Sequence, residues 1–180
     1  MNKSLDYEVP SRGWKEISNI TNGIRKTLGL SHYEPFPILH FLEFILAQMM
    51  SDSDFTFLVL GQKEMGNIEG LTHPQGKFIA IRQSVYEKAC NNDGRSNFTL
   101  AHELGHFMLH TNLPFQRAVT SGQIPPYRSA EKQANQFAAE LLMPRQFILQ
   151  HPTIDEIVKI CKVSWQAAKV RFKKVNGFEL

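Results

Sequence analysis

The chain has 180 residues with 42% apolar and 21% charged positions, the balance of a globular protein rather than a disordered, fibrous or membrane one. Twenty Lys and Arg against 17 Asp and Glu leave a formal charge of +3, so no basic excess argues for nucleic acid. Cys90 and Cys161 stand far apart without CxxC spacing, and the opening MNKSLDYEVPSRGWK lacks the apolar core of a secretory leader. A reduced, cytoplasmic protein is therefore expected.

Taken in chain order, Trp14 to Leu28 reads as a helix with Ile17, Ile20, Ile24 and Leu28 on one face, stopped by Gly29. The longest apolar run, FPILHFLEFILAQMM from Phe36 to Met50, is only 15 residues long and contains His40, Glu43 and Gln48. It is too short and too polar to span a bilayer. Spacing Ile38, Leu42, Ile45, Leu46 and Met49 at three and four residues predicts a core helix started by Pro37. The β-forming run Phe55 to Leu60 and the short extended stretches Asn67 to Thr72 and Lys77 to Ile81, separated by HPQG, predict a small antiparallel sheet.

A helix over Ser84 to Cys90 should break at NNDG, residues 91–94. The segment SNFTLAHELGHFMLH then resumes helical spacing from Ser96, with Phe98, Ala101, Leu104 and Met108 on an apolar face and Ser96 or Asn97 as cap. Residues 111–128 hold three prolines and read as a long loop of the kind that carries function. Ser129 to Met143 is a helix ended by Pro144, and Thr153 to Cys161 and Ser164 to Val175 make two short helices joined by a tight turn. With no repeat or linker, one domain is expected over residues 1–150, and residues 151–180 form a C-terminal helix-turn-helix-like subdomain packed on it. The fold class is α+β, mostly helical.

His102, Glu103 and His106 spell HExxH inside a predicted helix. Residues four apart on a helix lie about 40° apart in projection and about 6 Å apart along the axis. Two imidazoles at that spacing can share one ion while Glu103 flanks it. Zinc held by nitrogen and oxygen with one position open lowers the pKa of its water towards about 7 and polarises a carbonyl. A shuffled chain of this composition would show the pentapeptide in roughly two cases per hundred. The amphipathic context and Gly105, a small residue that permits close helix packing, therefore add weight to it.

The third ligand is narrowed by spacing. A metzincin would need Gly at 109 and His at 112, where this chain has Leu109 and Asn112. His110 lies about 12 Å along the helix from His102, too far to share an ion, and reads as a capping or packing histidine. Glu131, 25 residues after His106, is the better candidate, because Ala134 and Ala138 keep its helix face small and Asn135 is placed to bond a ligand. Glu140 competes, about 180° away around the same helix.

The stretch NFTLAHELGHFMLH, followed by a loop and EKQANQFAAELLMP, closely resembles the ImmA/IrrE family of zinc metallopeptidases, tightly over residues 95–144 and more loosely over residues 14–175. The resemblance implies a zincin-like fold and a gluzincin-like site. In it His102, His106 and Glu131 bind one Zn2+ per chain and Glu103 is the catalytic acid/base. It also implies cleavage of an internal peptide bond in a helix-turn-helix repressor inside bacterial cells, in stress response or mobile-element induction. Larger members carry a sensor domain or a fused helix-turn-helix domain, for which this chain has no room, so the activating signal is expected to come from a separate partner.

Two other classes of function compete. Lys169, Arg171, Lys173 and Lys174 on the last helix give the outline of a DNA-binding regulator, although Ile154, Ile157, Val158, Val163, Ala167 and Val170 serve equally as a packing stripe. The packing role is preferred over direct DNA binding. A metal-stabilised interaction protein without turnover would leave Glu103 no required role. Tyr127, Arg128, His73 and His110 are the candidates for stabilising the oxyanion.

Overall fold

The computed structural model describes residues 5–113, 118–120 and 124–177. Its elements begin with strand β1, Leu5–Tyr7, and helix α1, Trp14–Thr27. Ile38–His40, the π-helical Phe41–Leu46 and Ala47–Met49 run on as one helix, α2. Strand β2 is Thr56–Leu60, followed by the single-turn α3, Gln62–Met65, then β3, Gly70–Thr72, and β4, Phe78–Arg82. Helices α4, Gln83–Cys90, and α5, Gly94–His110, precede β5, Ala118–Thr120. Helix α6, Ala130–Leu142, leads through the short α7, Arg145–Ile148, to the final pair α8, Ile154–Cys161, and α9, Trp165–Asn176.

The three-stranded sheet has the order β2-β4-β3 and is mixed, which corrects the expected antiparallel one: β3 and β4 pair antiparallel, whereas β2 and β4 run parallel. A parallel pair needs a long crossover, and residues 61–77 supply it through α3 and β3. Central β4 buries Ile79, Ala80 and Ile81 completely. The sheet therefore ends at β3, an edge strand that lies against α5. The predicted loop 111–128 contains β5, which pairs antiparallel with β1, and a 3-10 turn, Pro126–Arg128. Residues 114–117 and 121–123 of that loop lie outside the described residues.

Helical faces follow the predicted periods only in part. Helix α1 buries Thr21 and Arg25 in line with Ile17 and leaves Ile20, Ile24 and Leu28 partly buried. Val170 of the expected C-terminal stripe is exposed while Ala168 and Arg171 are buried, and α2 and α5 depart as well. On α2, Ile38, Leu42 and Leu46 are buried, but Met49 is 65% exposed. The π-helical turn adds a residue to the repeat and rotates everything after it. On α5, Ala101 and Leu104 are buried as expected and Met108 is exposed, while Leu100, Phe107 and Leu109 are buried too. This helix is enclosed on more than one side, so a single stripe underestimates its core face. It also starts earlier than predicted: Asp93, not Ser96 or Asn97, is the cap, accepting a hydrogen bond from the Ser96 backbone N–H at 2.9 Å.

Helices α5 and α6 pack at the centre. A side chain at Gly105 would bring its Cβ to 3.1 Å from the Ala134 Cα, so the glycine allows the close approach inferred from the sequence. Leu100, Leu104, Phe137 and Leu141 fill the same core as Ile157, Cys161, Val163, Ala168 and Val175 of the C-terminal segment. Each fully buried side chain of this size contributes about 1.5–3 kcal/mol. Arg25 of α1 is buried as well, donating to the carbonyls of Leu141, Ser31 and Glu34 and lying over the Phe36 ring.

Glu140 points away from Glu131 and towards α9. Its carboxylate takes two hydrogen bonds from Arg171, at 3.0 and 2.6 Å, with both side chains almost fully buried. Arg171 also donates from Nε to the Met143 carbonyl, and Lys174 donates to Gln136. Arg171, one of the four cations that outline a DNA-reading helix, is thus turned inward, whereas Lys174 stays exposed.

Candidate metal centre

The helical period brings His102 and His106 to one side of α5, and the start of α6 brings Glu131 to meet them. Their Nε2 atoms are 3.0 Å apart, and Glu131 reaches them with Oε2 at 3.5 Å from His102 and Oε1 at 3.4 Å from His106. Tetrahedral zinc with bonds near 2.0–2.1 Å separates its ligand atoms by about 3.3 Å. One ligand atom from each of the three residues lies within 4.8 Å of the others. This nitrogen and oxygen set fits a borderline divalent cation such as zinc.

Hydrogen bonds behind the imidazoles turn their Nε2 lone pairs to this point. His102 Nδ1 sits 3.1 Å from Asn135 Oδ1, an acceptor, so it carries the ring proton. His106 Nδ1 faces His110 Nδ1 at 3.1 Å, and His110 Nε2 faces Gln133 Oε1 at 3.1 Å. The Gln133 amide donates to the Pro10 and Tyr127 carbonyls, which fixes its oxygen as the acceptor for His110. Protonation then runs one way: His110 donates from Nε2, accepts at Nδ1, and leaves the His106 proton on Nδ1. Burial pushes His110 down to about 4, which keeps it neutral as this chain of bonds requires. His110 is therefore buried, as the packing reading expects, and its contact with His106 orients that imidazole.

Charge at the site is set by proximity. Hydrogen bonding to His102 and His106 holds Glu131 far below the usual carboxylate range. Burial alone would depress His102, but Glu131, Glu103 and Asn135 together outweigh it and raise the imidazole. Glu131 is held in place from below. Asp6 accepts from the Ser129 hydroxyl at 2.6 Å and from the Glu131 backbone N–H at 3.2 Å, and Ser129 caps α6 by accepting from the Lys132 backbone N–H.

Glu103 borders the same cleft, a concavity of about 340 Å³ lined also by Tyr7, Thr72, His73 and His110. Its carboxylate accepts from the Thr72 hydroxyl at 2.7 Å, and the same hydroxyl lies 2.9 Å from the Glu103 carbonyl. Gly70 makes this approach possible, since a Cβ there would fall 2.6 Å from the Glu103 Cγ. Edge strand β3 thus borders the cleft with Gly70, Leu71 and Thr72. Of the four oxyanion candidates, His73 and His110 line the cleft. Tyr127 and Arg128 do not line it: Tyr127 is exposed, and Arg128 pairs with Glu8 at 2.9 Å.

Residues 61–173 match the peptidase M78 family, described as the IrrE N-terminal-like domain. The chain belongs to this ImmA/IrrE peptidase family. It is also similar to the uncharacterized immunity region protein 2 of Bacillus phage phi105, 31% identical over 103 residues, covering 54% of this chain and 60% of that relative. The matched M78 region includes His102, Glu103, His106 and Glu131, and it ends within α9, so it takes in most of the C-terminal helix pair. Tyr7 and Asp6 lie outside that region, and Thr72 lies inside it with no motif of its own. Nothing in the local sequence around these three signals a role at the site.

Proposed function

We propose that this M78 chain is a zinc-dependent endopeptidase that cuts an internal peptide bond of a specific cytoplasmic protein, a helix-turn-helix transcriptional repressor. The observation that carries the reading is the convergence of His102, His106 and Glu131 beside Glu103, in a cleft bordered by edge strand β3. In this reading the three residues hold one zinc and Glu103 is the catalytic group. A bound zinc supplies Lewis acidity towards water and the scissile carbonyl. Glu103 accepts the proton lost by the attacking water and returns it to the departing amine, while Thr72 fixes the carboxylate that does so. Strand β3 holds the substrate extended, and His110 and Asn135 keep the ligand imidazoles turned inward. Residues 1–150 act as the metallopeptidase unit and residues 151–180 as the subdomain packed on it.

Support for a repressor as substrate comes from the family and from the phage immunity-region relative. Among the described residues no helix is long and apolar enough to cross a membrane. DNA binding by α9 would have to proceed without Arg171, which is committed to Glu140.

The test pairs metal analysis with product mapping. Protein purified without added metal should carry one zinc per chain and make one or a few chelator-sensitive cuts in a cognate repressor. Glu103→Gln should keep the zinc and lose the cleavage, because an amide cannot accept the proton. Turnover that survives in this variant, or many cuts in an unrelated unfolded protein such as casein, would overturn the reading.

A further inference from the structure

A second concavity lies beside the metal cleft, bordered by the same two helices. On α5, His106 and His102 lead at helical spacing to Thr99, Phe98 and Arg95, and on α6, Glu131 leads through Asn135 and Ala139 to Met143. One end of this pair of faces lines the cleft, and the other lines a groove of about 1070 Å³. Asn135 joins the two, since it lines the groove and bonds His102. Glu69, the residue before edge strand β3, also borders the groove. Trp14 at the start of α1 and Ala167 and Val170 of α9 complete its walls.

Size and surface point to a protein segment. The groove is larger than most small-molecule sites, which span about 300–1,000 Å³, and its surface is mainly apolar. Three large side chains that remain in contact with water, Trp14 at 46%, Tyr127 at 53% and Val170 at 39%, all line it. Such clustering is what an interaction site shows, whereas single exposed apolar residues are ordinary. The walls are helices, and a groove between helices takes the apolar face of another helix.

Charge selects the occupant. Glu69 is the only carboxylate among the lining residues, and it is paired with Arg95 at 3.1 Å. Arg12 pairs with Glu16. Lys132 and Lys174 also line the groove; neither has a carboxylate partner among the described residues, and Lys174 donates to Gln136. Two cations without a carboxylate partner beside apolar walls favour apolar side chains flanked by Asp or Glu.

We propose that this groove docks an acidic amphipathic helix of the protein substrate, with its apolar face against Trp14 and Val170 and its carboxylates on Lys132 and Lys174. The extended segment next to that helix then passes along β3 into the cleft. Specificity comes from the docked helix, which would let a cytoplasmic peptidase ignore other unfolded chains. The occupant's identity as substrate rests on the peptidase reading above, but its binding does not require turnover.

The experiment therefore reads binding in full-length Glu103→Gln protein. The probes are two labelled, designed amphipathic helices with the same apolar face, one flanked by Glu and the other by Lys, followed by fluorescence anisotropy. A Trp165→Phe background lets Trp14 emission report contact in the groove. The Glu-flanked helix should bind roughly tenfold or more tightly than its Lys counterpart, and Val170→Glu and Lys132→Glu should each weaken it by a similar factor. Circular dichroism checks that the variants are folded. Adding Glu131→Gln, which removes a proposed metal ligand, should leave the peptide affinity unchanged. Equal affinity for both helices, no binding, or indifference to Val170→Glu would overturn the proposal. So would a self-associated chain that Val170→Glu converts to monomer, which would make a second copy the occupant. Absence of zinc or cleavage with helix binding intact would count against the peptidase reading and leave the groove assignment standing.

Discussion

Glu103 is nearly buried, at 7% exposure, yet one of its carboxylate oxygens has a fixed donor in Thr72 at 2.7 Å. In the proposed mechanism this carboxylate meets water on one side and Thr72 steadies it on the other, and the Thr72 hydroxyl also reaches the Glu103 carbonyl. Removing that hydroxyl leaves the carboxylate freer to turn but takes nothing from the imidazoles. Thr72→Val should slow cleavage about ten- to a hundredfold through kcat, the range expected for one hydrogen bond to a charged group. Thr72→Ser should restore most of the rate, and elemental analysis should find the same zinc content in both. Loss of zinc in Thr72→Val would move the residue from orienting the base to building the metal site.

Helix α6 carries two carboxylates on opposite faces. Nine residues at 100° each place Glu140 half a turn from Glu131, so one side of the helix faces the imidazoles and the other faces Arg171. A buried ion pair is weak evidence of net stability, but breaking one partner strands the other without solvent. Glu140→Gln should therefore lower unfolding stability by about 3–5 kcal/mol in a denaturant titration and leave zinc stoichiometry intact. Combining Glu140→Met with Arg171→Met should recover much of that loss, because no charge is then left unpaired. Glu131→Gln should behave in the reverse sense, with zinc lost and the fold kept. Zinc lost with Glu140→Gln at unchanged stability would mean that the wrong carboxylate had been placed at the metal.

At the scale of the molecule, the C-terminal pair α8 and α9 is tied to the start of α5 as well as to α6. Gly94, the first residue of α5, lies against the turn that joins the pair: a Cβ there would fall 2.2 Å from the Val163 carbonyl carbon. Asn97 in the next turn donates to the Lys162 carbonyl in that same connection. Backbone cannot yield as a flexible side chain would, so Gly94→Ala should displace α8 and α9. The expected cost is about 1–3 kcal/mol, measurable as a lower denaturation midpoint. Because the groove takes one wall from α9 whereas the cleft does not, the same variant should weaken helix docking while retaining zinc. Unchanged stability would show that the turn has room to move.

The sequence by itself determined which residues could meet and which helix would carry them. HExxH at a helical spacing puts His102 and His106 on one face, and the small side chains around Glu131 marked the helix able to lie close enough to supply a third ligand atom. These are local periods, set by the geometry of one turn and readable without the rest of the chain. Only the tertiary structure decided that Glu140 serves Arg171 and that β2 runs parallel to β4. It alone brought Thr72 to Glu103 across 31 residues and Asp6 to the Glu131 backbone across 125. His110 shows the boundary: its distance from His102 excluded it as a shared ligand from helix geometry alone. Its orienting role needed Gln133, whose own partners Pro10 and Tyr127 come from two other parts of the chain. A repeat along one element is fixed by the backbone that makes it, whereas a contact between elements depends on how the whole core closes, and no single stretch of sequence contains that information.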